Sequence, residues 1–329
     1  MNKALLALVV AAMSLSAGSA MGQKKQLVIV VKGLDNPFFE AIHQGCEKWN
    51  KENASSPYHC FYTGPASTSD EAGEAQIVQD MLGKSDTVAI AISPSNAPLI
   101  ANAIKAAKPK IPVMTLDADL KKEDAALRKT YLGTDNYLMG VKFAEYLKKF
   151  KPKGGTICLQ LGNVAADNIN ARAAGTRDTL AGAKGTKKLT GQNGWKEIDG
   201  CPVFTNDQAD LANRQMADVF TANPKLDAFV LEGGWAQFAP QAYAQVTGQV
   251  MEKLKSKSLI IVAGDTLPPQ IEALKAGRSH VQVGQRPFEM GYRAPSVMID
   301  LINGKKVEPV IYTGLDECTQ ENVATCIAK

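Results

Sequence analysis

The sequence predicts an α/β protein made of two similar halves, each a parallel sheet with helices on both faces. Short β-branched runs alternate with amphipathic segments from residue 26 onward, which is typical of parallel sheets. The alternation restarts after Gly133-Thr134-Asp135-Asn136. The length of 329 residues suits two lobes better than one small core. No low-complexity linker separates the halves, so we expect ordered crossings between them.

The first predicted strand, residues 27–31, leads into a helix that begins with a distinctive motif. Asn36 can cap this helix with its side-chain oxygen, and Pro37 suits the first helical position. Phe38 and Phe39 then fall in the first turn, at the sheet edge where ligands bind in open α/β folds. On these residues alone, a ligand site and a well-capped helix with two core aromatics both remain open.

The later elements follow the same alternation. Thr68-Ser69-Asp70-Glu71 is a capping-box pattern, and Gly83 ends the helix that it opens. In the first half, strands are predicted over residues 87–92 and 111–116, with a turn at 93–96 and a helix over 97–107 between them. In the second half, the pattern predicts a helix over 137–149 and strands over 156–161, 228–231 and 259–263.

The N-terminus has the features of an export signal. One cation, Lys3, precedes an apolar run over residues 4–13, and small residues follow it. Cleavage after Ala20 or Gly22 would satisfy the small-residue rule, so we expect residues 1–22 to be a signal peptide. The apolar run is short for a membrane span, which needs about 20 residues. We therefore expect an exported, soluble mature protein.

Composition and motifs narrow the function. A net charge of +4 with scattered lysines gives no reason to expect nucleic acid or an anionic membrane as a partner. The first strand is not followed by a dinucleotide-binding or phosphate-binding glycine loop, and the chain has no Gly-x-Ser-x-Gly elbow. We therefore expect neither a cofactor nor an enzyme. The three histidines are isolated and no Cys-x-x-Cys pair occurs, so a metal site is not expected.

Six cysteines are present, and an even number in an exported chain favours disulfides. They are Cys46, Cys60, Cys158, Cys201, Cys318 and Cys326. Six cysteines allow 15 connectivities, so their number alone does not fix the pairing.

Several motifs occur together, and their order and spacing resemble the ribose/galactose-type periplasmic sugar-binding proteins. The strongest match is Asn36-Pro37-Phe38-Phe39. The others are Thr115-Leu116-Asp117, Gly133-Thr134-Asp135-Asn136, Ala171-Arg172-Ala173-Ala174-Gly175, Val262-Ala263-Gly264-Asp265 and Val283-Gly284-Gln285. Proteins of this family capture substrates for bacterial ABC importers. Transcriptional repressors share the core but begin with a helix-turn-helix, whereas this chain begins with an export signal.

The resemblance implies a type I periplasmic binding protein, with two Rossmann-like lobes joined by a three-segment hinge. The first lobe would comprise residues 24–134 plus 286–313, and the second residues 135–285 plus 314–329. The chain would cross between the lobes near 133–135, near Gln285 and near 313–315. The family fold also favours the disulfides Cys46–Cys60, Cys158–Cys201 and Cys318–Cys326.

The resemblance also implies a set of ligand-binding residues. Aromatic side chains cover the apolar faces of a sugar ring, and charged groups read its hydroxyls through bonds of about 1.5–3 kcal/mol each. Asn36 would bind hydroxyls and Phe38 would stack on the ring, whereas Phe39 is either a second stacking face or core. The expected set is Asn36, Phe38, Phe39, Asp117, Asp119, Arg172, Glu232, Trp235, Asp265 and Gln285.

Three departures from the ribose-type pattern put the identity of the ligand in question. Ala118 replaces an arginine, Glu232 replaces an asparagine, and Asp207 stands where an aromatic residue is expected. Trp235 could supply the missing stacking surface.

These departures also raise the hypothesis of a positively charged ligand, such as an amino sugar. Asp117, Asp119, Glu232 and Asp265 would face one clear pocket cation, Arg172, and unpaired buried carboxylates are costly. The alternatives are that Lys32, Arg286 or a displaced side chain compensates, that Asp119 faces solvent, or that the family register is shifted near Glu232.

Taken together, we expect a monomeric periplasmic protein that captures a sugar, polyol or amino sugar for the permease subunits of an ABC transporter. A periplasmic sensor that docks a chemoreceptor or histidine kinase is the alternative. An exported sugar-acting enzyme, with Asp117 and Asp265 as acid and base, is a third possibility.

Overall fold

The computed structural model describes residues 24–327, so the predicted signal peptide lies outside the described residues. The strands are β1 Lys25–Val30, β2 Tyr58–Thr63, β3 Thr87–Ile92, β4 Val113–Leu116, β5 Tyr131–Gly133, β6 Gly155–Leu161, β7 Trp195–Glu197, β8 Val203–Phe204, β9 Ala228–Leu231, β10 Ile260–Gly264, β11 Val281–Gly284, β12 Val310–Tyr312 and β13 Asp316–Thr319. The α-helices are α1 Pro37–Glu52, α2 Glu71–Gly83, α3 Ala97–Ala107, α4 Asn136–Phe150, α5 Asp167–Ala181, α6 Ala209–Ala222, α7 Pro240–Gly248, α8 Met251–Lys255, α9 Pro268–Lys275 and α10 Pro287–Ile302. Short 3-10 helices occupy Lys122–Leu127, Gln192–Gly194 and Trp235–Phe238. Within residues 24–327, none of these helices has both the length and the apolar character to cross a membrane.

The strands form two sheets. The first has the order β12-β5-β4-β3-β1-β2, and all its strand pairs are parallel. The second has the order β13-β11-β10-β9-β6-β7, with β8 paired to β6, and only β13 is antiparallel to its neighbour. The predicted class, an α/β protein with two parallel sheets, is confirmed.

The chain passes between the two sheets three times. It crosses between β5 and α4, between β11 and α10, and between β12 and β13. The crossings are tied together, because Thr134 Oγ1 donates to Gln285 Oε1 at 3.0 Å and the Thr313 amide donates to the Gly133 carbonyl at 2.9 Å. Helix α10 returns to the first lobe and packs against α1. These crossings form the predicted three-segment hinge.

The sequence predicted the strands β1, β3, β4, β6, β9 and β10, and it did not predict β2, β5, β7, β8, β11, β12 and β13. Strands β7, β8, β12 and β13 each contain two to four residues. Such segments are too short to show a clear hydrophobic period. They lie at or near the sheet edges and do not alter the arrangement of the central strands.

The cysteines pair in the way that the resemblance implies. Cys46 on α1 is bonded to Cys60 on β2, and the two Cα atoms are 5.8 Å apart. The Cys158–Cys201 pair has a Cα separation of 5.4 Å, and the Cys318–Cys326 pair one of 5.1 Å. All three separations lie in the usual range for disulfides. Each bond joins elements of one lobe and leaves the two lobes free to move relative to each other.

Helices α4 and α5 pack unusually close together, which fixes the position of α5. A Cβ atom at Gly140 would collide with the carbonyl oxygen of Arg172, and one at Gly175 would collide with that of Tyr137. Only glycine permits this backbone approach. The contact holds α5, and with it Arg172, in a defined position at the carboxyl edge of the second sheet.

Candidate functional site

A cavity lies between the two sheets, where the carboxyl ends of their strands face each other. Its empty volume, including its opening to solvent, is about 330 Å³. Both lobes contribute to its walls. The lining residues are Lys32, Asn36, Phe38, Phe39, Asp117, Asn168, Ile169, Arg172, Asp207, Gly233, Trp235, Phe238, Asp265 and Gln285.

The start of α1 contributes an amide and two aromatic rings. Asn36 caps the helix as predicted, because its Oδ1 accepts a hydrogen bond from the Phe38 amide at 2.9 Å. The cap leaves the Asn36 side-chain NH₂ group as a donor toward the cavity. Phe38 and Phe39 pack edge to face with centroids 5.4 Å apart. Both rings also belong to the core of the first lobe, so they serve packing and the cavity wall together.

Two aspartates occupy equivalent positions in the two lobes. Asp117 follows the last residue of β4, and Asp265 follows the last residue of β10. Both have positive φ angles, 60° and 72°, a conformation that is uncommon for residues other than glycine. Each carboxylate is thereby turned toward the cavity. Such outliers cluster at functional sites, which agrees with the expected role of both residues.

Hydrogen bonds hold both carboxylates in place. Asp117 Oδ2 accepts from Ser93 Oγ at 2.8 Å. Asp265 Oδ2 accepts from the Gly234 amide at 3.0 Å, and its Oδ1 accepts from Gln285 Nε2 at 2.8 Å. Because Gln285 also bonds to Thr134, this chain of hydrogen bonds links the Asp265 carboxylate to two hinge crossings. Asp117 Oδ1 remains able to accept a hydrogen bond from a ligand hydroxyl.

Arg172 lies on α5 with its guanidinium buried and oriented by two bonds. Its Nε donates to Asn136 Oδ1 at 2.9 Å, and its Nη1 donates to the Glu232 carbonyl oxygen at 2.7 Å. Its Nη2 makes no hydrogen bond within residues 24–327. The guanidinium lines the cavity, so this nitrogen is a preorganised donor there.

The second lobe also provides aromatic surface. Trp235 begins the 3-10 helix that follows β9, and its buried ring packs against Gly162 and Gly233. Phe238 lies three residues further on and packs against the core cluster of the first lobe that contains Phe38 and Phe39. Apolar contact therefore spans the cleft beside the polar groups.

Two of the expected ligand residues are not brought into the cavity. Asp119 accepts hydrogen bonds from Arg128 Nε, at 2.8 Å, and from Arg128 Nη2 and Thr115 Oγ1, within the first lobe. The Glu232 side chain is fully buried inside the second lobe, where Thr176 Oγ1 donates to its Oε1 at 3.0 Å. Burial raises the pKa of Glu232 to about 8. Only the Glu232 backbone reaches toward the site, through Arg172.

Five lining side chains were absent from the expected set: Lys32, Asn168, Ile169, Asp207 and Phe238. Lys32 was considered only as a compensating charge, although it follows the first strand and so had a positional signal. Asn168 lies four residues before Arg172 and shares its helix face, which was a usable signal. Asp207 is a residue that departs from the ribose-type pattern, and it lines the cavity itself. Burial raises its pKa.

No metal centre accompanies these residues. Within the described part of the chain, no group of three or more histidine, cysteine, aspartate or glutamate side chains could hold a metal ion.

Sequence and structure comparisons show what the chain is similar to. It is 25% identical over 312 residues to the ribose import binding protein RbsB of Salmonella typhimurium, covering 94% of this chain and 96% of the relative. It is also 25% identical over 294 residues to the D-allose-binding periplasmic protein of Escherichia coli, covering 87% of each.

Solved structures share the fold over nearly the whole chain. An ABC transporter solute-binding protein from Agrobacterium vitis with bound D-fucose matches with a TM-score of 0.80 at 21% identity, over 91% of this chain and 97% of that one. One from Burkholderia graminis in complex with D-arabinose matches with a TM-score of 0.76 at 25% identity, over 93% and 98%. A family model described as a periplasmic binding protein domain matches residues 27–306. The chain therefore belongs to the periplasmic binding protein family, and it acts in the periplasm.

Proposed function

We propose that this protein captures a sugar or sugar-like small molecule in the periplasm and delivers it to the permease of an ABC transporter. The observation that carries the proposal is the cavity, in which aromatic rings and fixed hydrogen-bonding groups from both lobes converge. Relatives named for ribose import and allose binding support it over nearly the full chain.

The side chains divide the recognition of a sugar between its faces and its rim. Phe38 and Trp235 supply flat apolar surface for the C–H faces of a ring, and Phe39 adds a second aromatic wall. Asp117 and Asp265 accept hydrogen bonds from hydroxyls, and Arg172 donates through its remaining nitrogen. Bonds that involve charged groups contribute about 1.5–3 kcal/mol each.

Asn36 and Gln285 complete the set of polar side chains that would bind the hydroxyls of the sugar. Both side chains are buried in the cavity wall, and each is already oriented by a hydrogen bond inside the protein. Because these groups are fixed before the ligand arrives, little side-chain entropy is lost on binding.

The ligand is enclosed by closure of the lobes about the three crossings. We propose residues 24–134 plus 286–313 as the first lobe and 135–285 plus 314–329 as the second. Sheet membership supports this division, since β12 pairs in the first sheet and β13 in the second. Contacts across the cleft also support it: Asn163 donates to the carboxylate of Glu71, and Phe238 packs on the first-lobe core. Hinge closure around a ligand is a common mode for such proteins.

We propose transport rather than catalysis or sensing, with the protein acting as a monomer. The two aspartates that could serve as acid and base each hold hydrogen bonds that fix them as acceptors. Delivery to permease subunits follows from the import role in the relative's name, whereas docking to a chemoreceptor has no such support.

Ligand identification tests the proposal directly. We expect native mass spectrometry of the purified protein to reveal a copurified molecule with the mass of a monosaccharide or polyol. A thermal-shift panel of D-ribose, D-allose, D-galactose, D-fucose, D-arabinose and myo-inositol should raise the melting temperature with at least one sugar. Small-angle scattering should then show a smaller radius of gyration with that sugar. If no sugar or polyol binds, the proposed function is wrong.

A further inference from the structure

Lys32 is a buried cation at the point where the two lobes meet. It follows β1 in the first lobe, and its side chain is 4% exposed. Its Nζ lies 3.5 Å from Asp117 Oδ2 in the same lobe and 3.5 Å from Asn168 Oδ1 on α5 of the other lobe. The ammonium group therefore joins the lobes inside the cavity.

The ammonium group of Lys32 retains capacity to bind a ligand. It has three N–H donors, and both of its contacts lie beyond the usual range of about 2.7–3.2 Å for a good hydrogen bond. Asn168 Oδ1 is also shared with the amide of Ile169 at 3.0 Å. A ligand oxygen near Nζ would thus gain a charged donor that the protein itself uses only weakly.

Lys32 also determines the charge balance of the cavity. The lining contains three carboxyl groups, Asp117, Asp207 and Asp265, and two cations, Lys32 and Arg172. Burial raises the pKa of Asp207, whereas the nearby charges of Lys32 and Arg172 act against that rise. Without Lys32, Asp117 would lose its cationic partner in a site with little access to water.

The acidic surroundings of Lys32 extend beyond the lining. The Glu74 carboxyl group on α2 is fully buried and interacts electrostatically with Lys32, and it accepts hydrogen bonds from Ser95. Asp207 also interacts with Lys32, from the second lobe. Acidic groups from both lobes therefore act on this one ammonium group.

We propose that Lys32 is a specificity-determining residue that disfavours a ligand amine at its place in the cavity: its ammonium neutralises Asp117 and donates to a ligand oxygen there. This inference rests on the proposed function. The hypothesis of a cationic ligand assumed that Asp119 and Glu232 face the cavity and that Arg172 is its one clear cation. Neither carboxylate lines the cavity, and Lys32 adds a second cation.

The experiment compares neutral sugars with their amino analogues. Calorimetry first identifies the neutral sugar of the panel that binds the unmodified protein most tightly. Aminodeoxy analogues of that sugar, with the amine at successive ring positions, are then titrated. We expect the analogue whose amine replaces the oxygen that faces Lys32 to bind more weakly than the neutral sugar, by about tenfold or more, since an ammonium there meets a like charge. If every amino analogue binds as tightly as the neutral sugar or more tightly, the proposal is overturned.

Two variants then test whether Lys32 causes this preference for the neutral sugar. In Lys32→Met, which keeps the length of the side chain, affinity for the neutral sugar should fall about tenfold. At least one amino analogue should bind better to this variant than to the unmodified protein, because its ammonium replaces the lost partner of Asp117. The double variant Lys32→Met/Asp117→Asn should show no such gain.

The outcomes distinguish a failure of the proposed function from a failure of the role proposed for Lys32. If no sugar binds the unmodified protein, the proposed function fails and the inference fails with it. If a neutral sugar binds, but Lys32→Met binds it equally well and gains nothing for any amino analogue, the role of Lys32 alone is refuted. If thermal unfolding shows that Lys32→Met is not folded, Lys32→Gln replaces it, because Gln retains a polar side chain. The expected and contrary results are then the same.

Discussion

The buried carboxyl group of Glu232 yields a sharp prediction, because sequence and structure assign it different roles. The sequence placed it among the ligand-binding residues, whereas its side chain lies inside the second lobe against Thr176. We expect Glu232→Gln to leave ligand affinity unchanged and to alter the pH dependence of stability. Gln keeps the shape of the protonated carboxyl group, and its oxygen can still accept from Thr176 Oγ1.

The magnitude follows from the pKa of Glu232, which burial raises from 4.5 to about 8. Between these two values the unfolded chain loses the proton of Glu232 while the folded protein retains it. The folded state then binds more protons, so the free energy of unfolding falls as pH rises through this window. Each pH unit within this window lowers the free energy of unfolding by about 1.4 kcal/mol, which gives a loss of about 3 kcal/mol at about pH 7.

The Gln side chain does not titrate, so this loss is absent in the variant. We therefore expect Glu232→Gln and the unmodified protein to have similar free energies of unfolding at about pH 4.5, below which Glu232 is protonated in both states. At about pH 8 the variant should be more stable by about 4 kcal/mol. Urea unfolding at both pH values, without ligand, measures this difference directly.

An exposed glutamate provides the control. Glu252 on α8 forms a solvent-exposed ion pair with Lys255, and such pairs contribute little to stability. Glu252→Gln should change the free energy of unfolding by a similar small amount at both pH values. The reasoning about Glu232 is refuted if Glu232→Gln is equally stable relative to the unmodified protein at both pH values. It is also refuted if the variant loses ligand affinity while its fold is intact.

Three further predictions concern the site, the cleft and the disulfides. Asp265→Asn should lower the affinity for the best-binding sugar about tenfold or more in calorimetry, since it removes a charged acceptor; unchanged affinity would exclude a direct contact. Asn163→Asp places a negative charge against Glu71 across the cleft and should weaken binding severalfold, an effect that high salt reduces; a salt-independent effect would argue against this contact in the closed form. Replacing both cysteines of Cys158–Cys201, which spans 43 residues, should cost about 4 kcal/mol of unfolding free energy, against about 2.5 kcal/mol for Cys318–Cys326, which spans 8. The opposite order in urea unfolding would contradict the loop-length argument.

The sequence predicted the features that depend on local chemistry. The alternation of buried strands and amphipathic helices predicted the two sheets. Burial of a hydrophobic face produces a characteristic spacing of apolar residues along a strand and another along a helix. The Asn36-Pro37 motif gave the start of α1, since its capping interactions are local. Asp117 and Asp265 were expected in the site and line the cavity.

The sequence could not show interactions between distant residues. Asp119 is held by Arg128, nine residues away, through a turn that no simple pattern specifies. Lys32 reaches Asn168, which is 136 residues further along the chain. Whether a charged side chain faces a ligand or another part of the protein depends on such pairings, and these exist only after the lobes have come together.

The backbone conformation at the strand ends explains why the Glu232 side chain does not face the cavity, as the sequence had predicted that it would. Asp117, Glu232 and Asp265 each follow the last residue of a buried parallel strand, so the sequence presents them as equivalent. The two aspartates have positive φ, which turns their carboxylates into the cleft, whereas Glu232 is not among the residues with positive φ. Its side chain instead enters the lobe interior. Aspartate is enriched in this conformation and glutamate is not, so the residue type was the available signal. A count of acidic residues at strand ends that ignores this difference overstates the negative charge of the site. The charge that a ligand meets is set by Asp117, Asp207 and Asp265 together with Lys32 and Arg172.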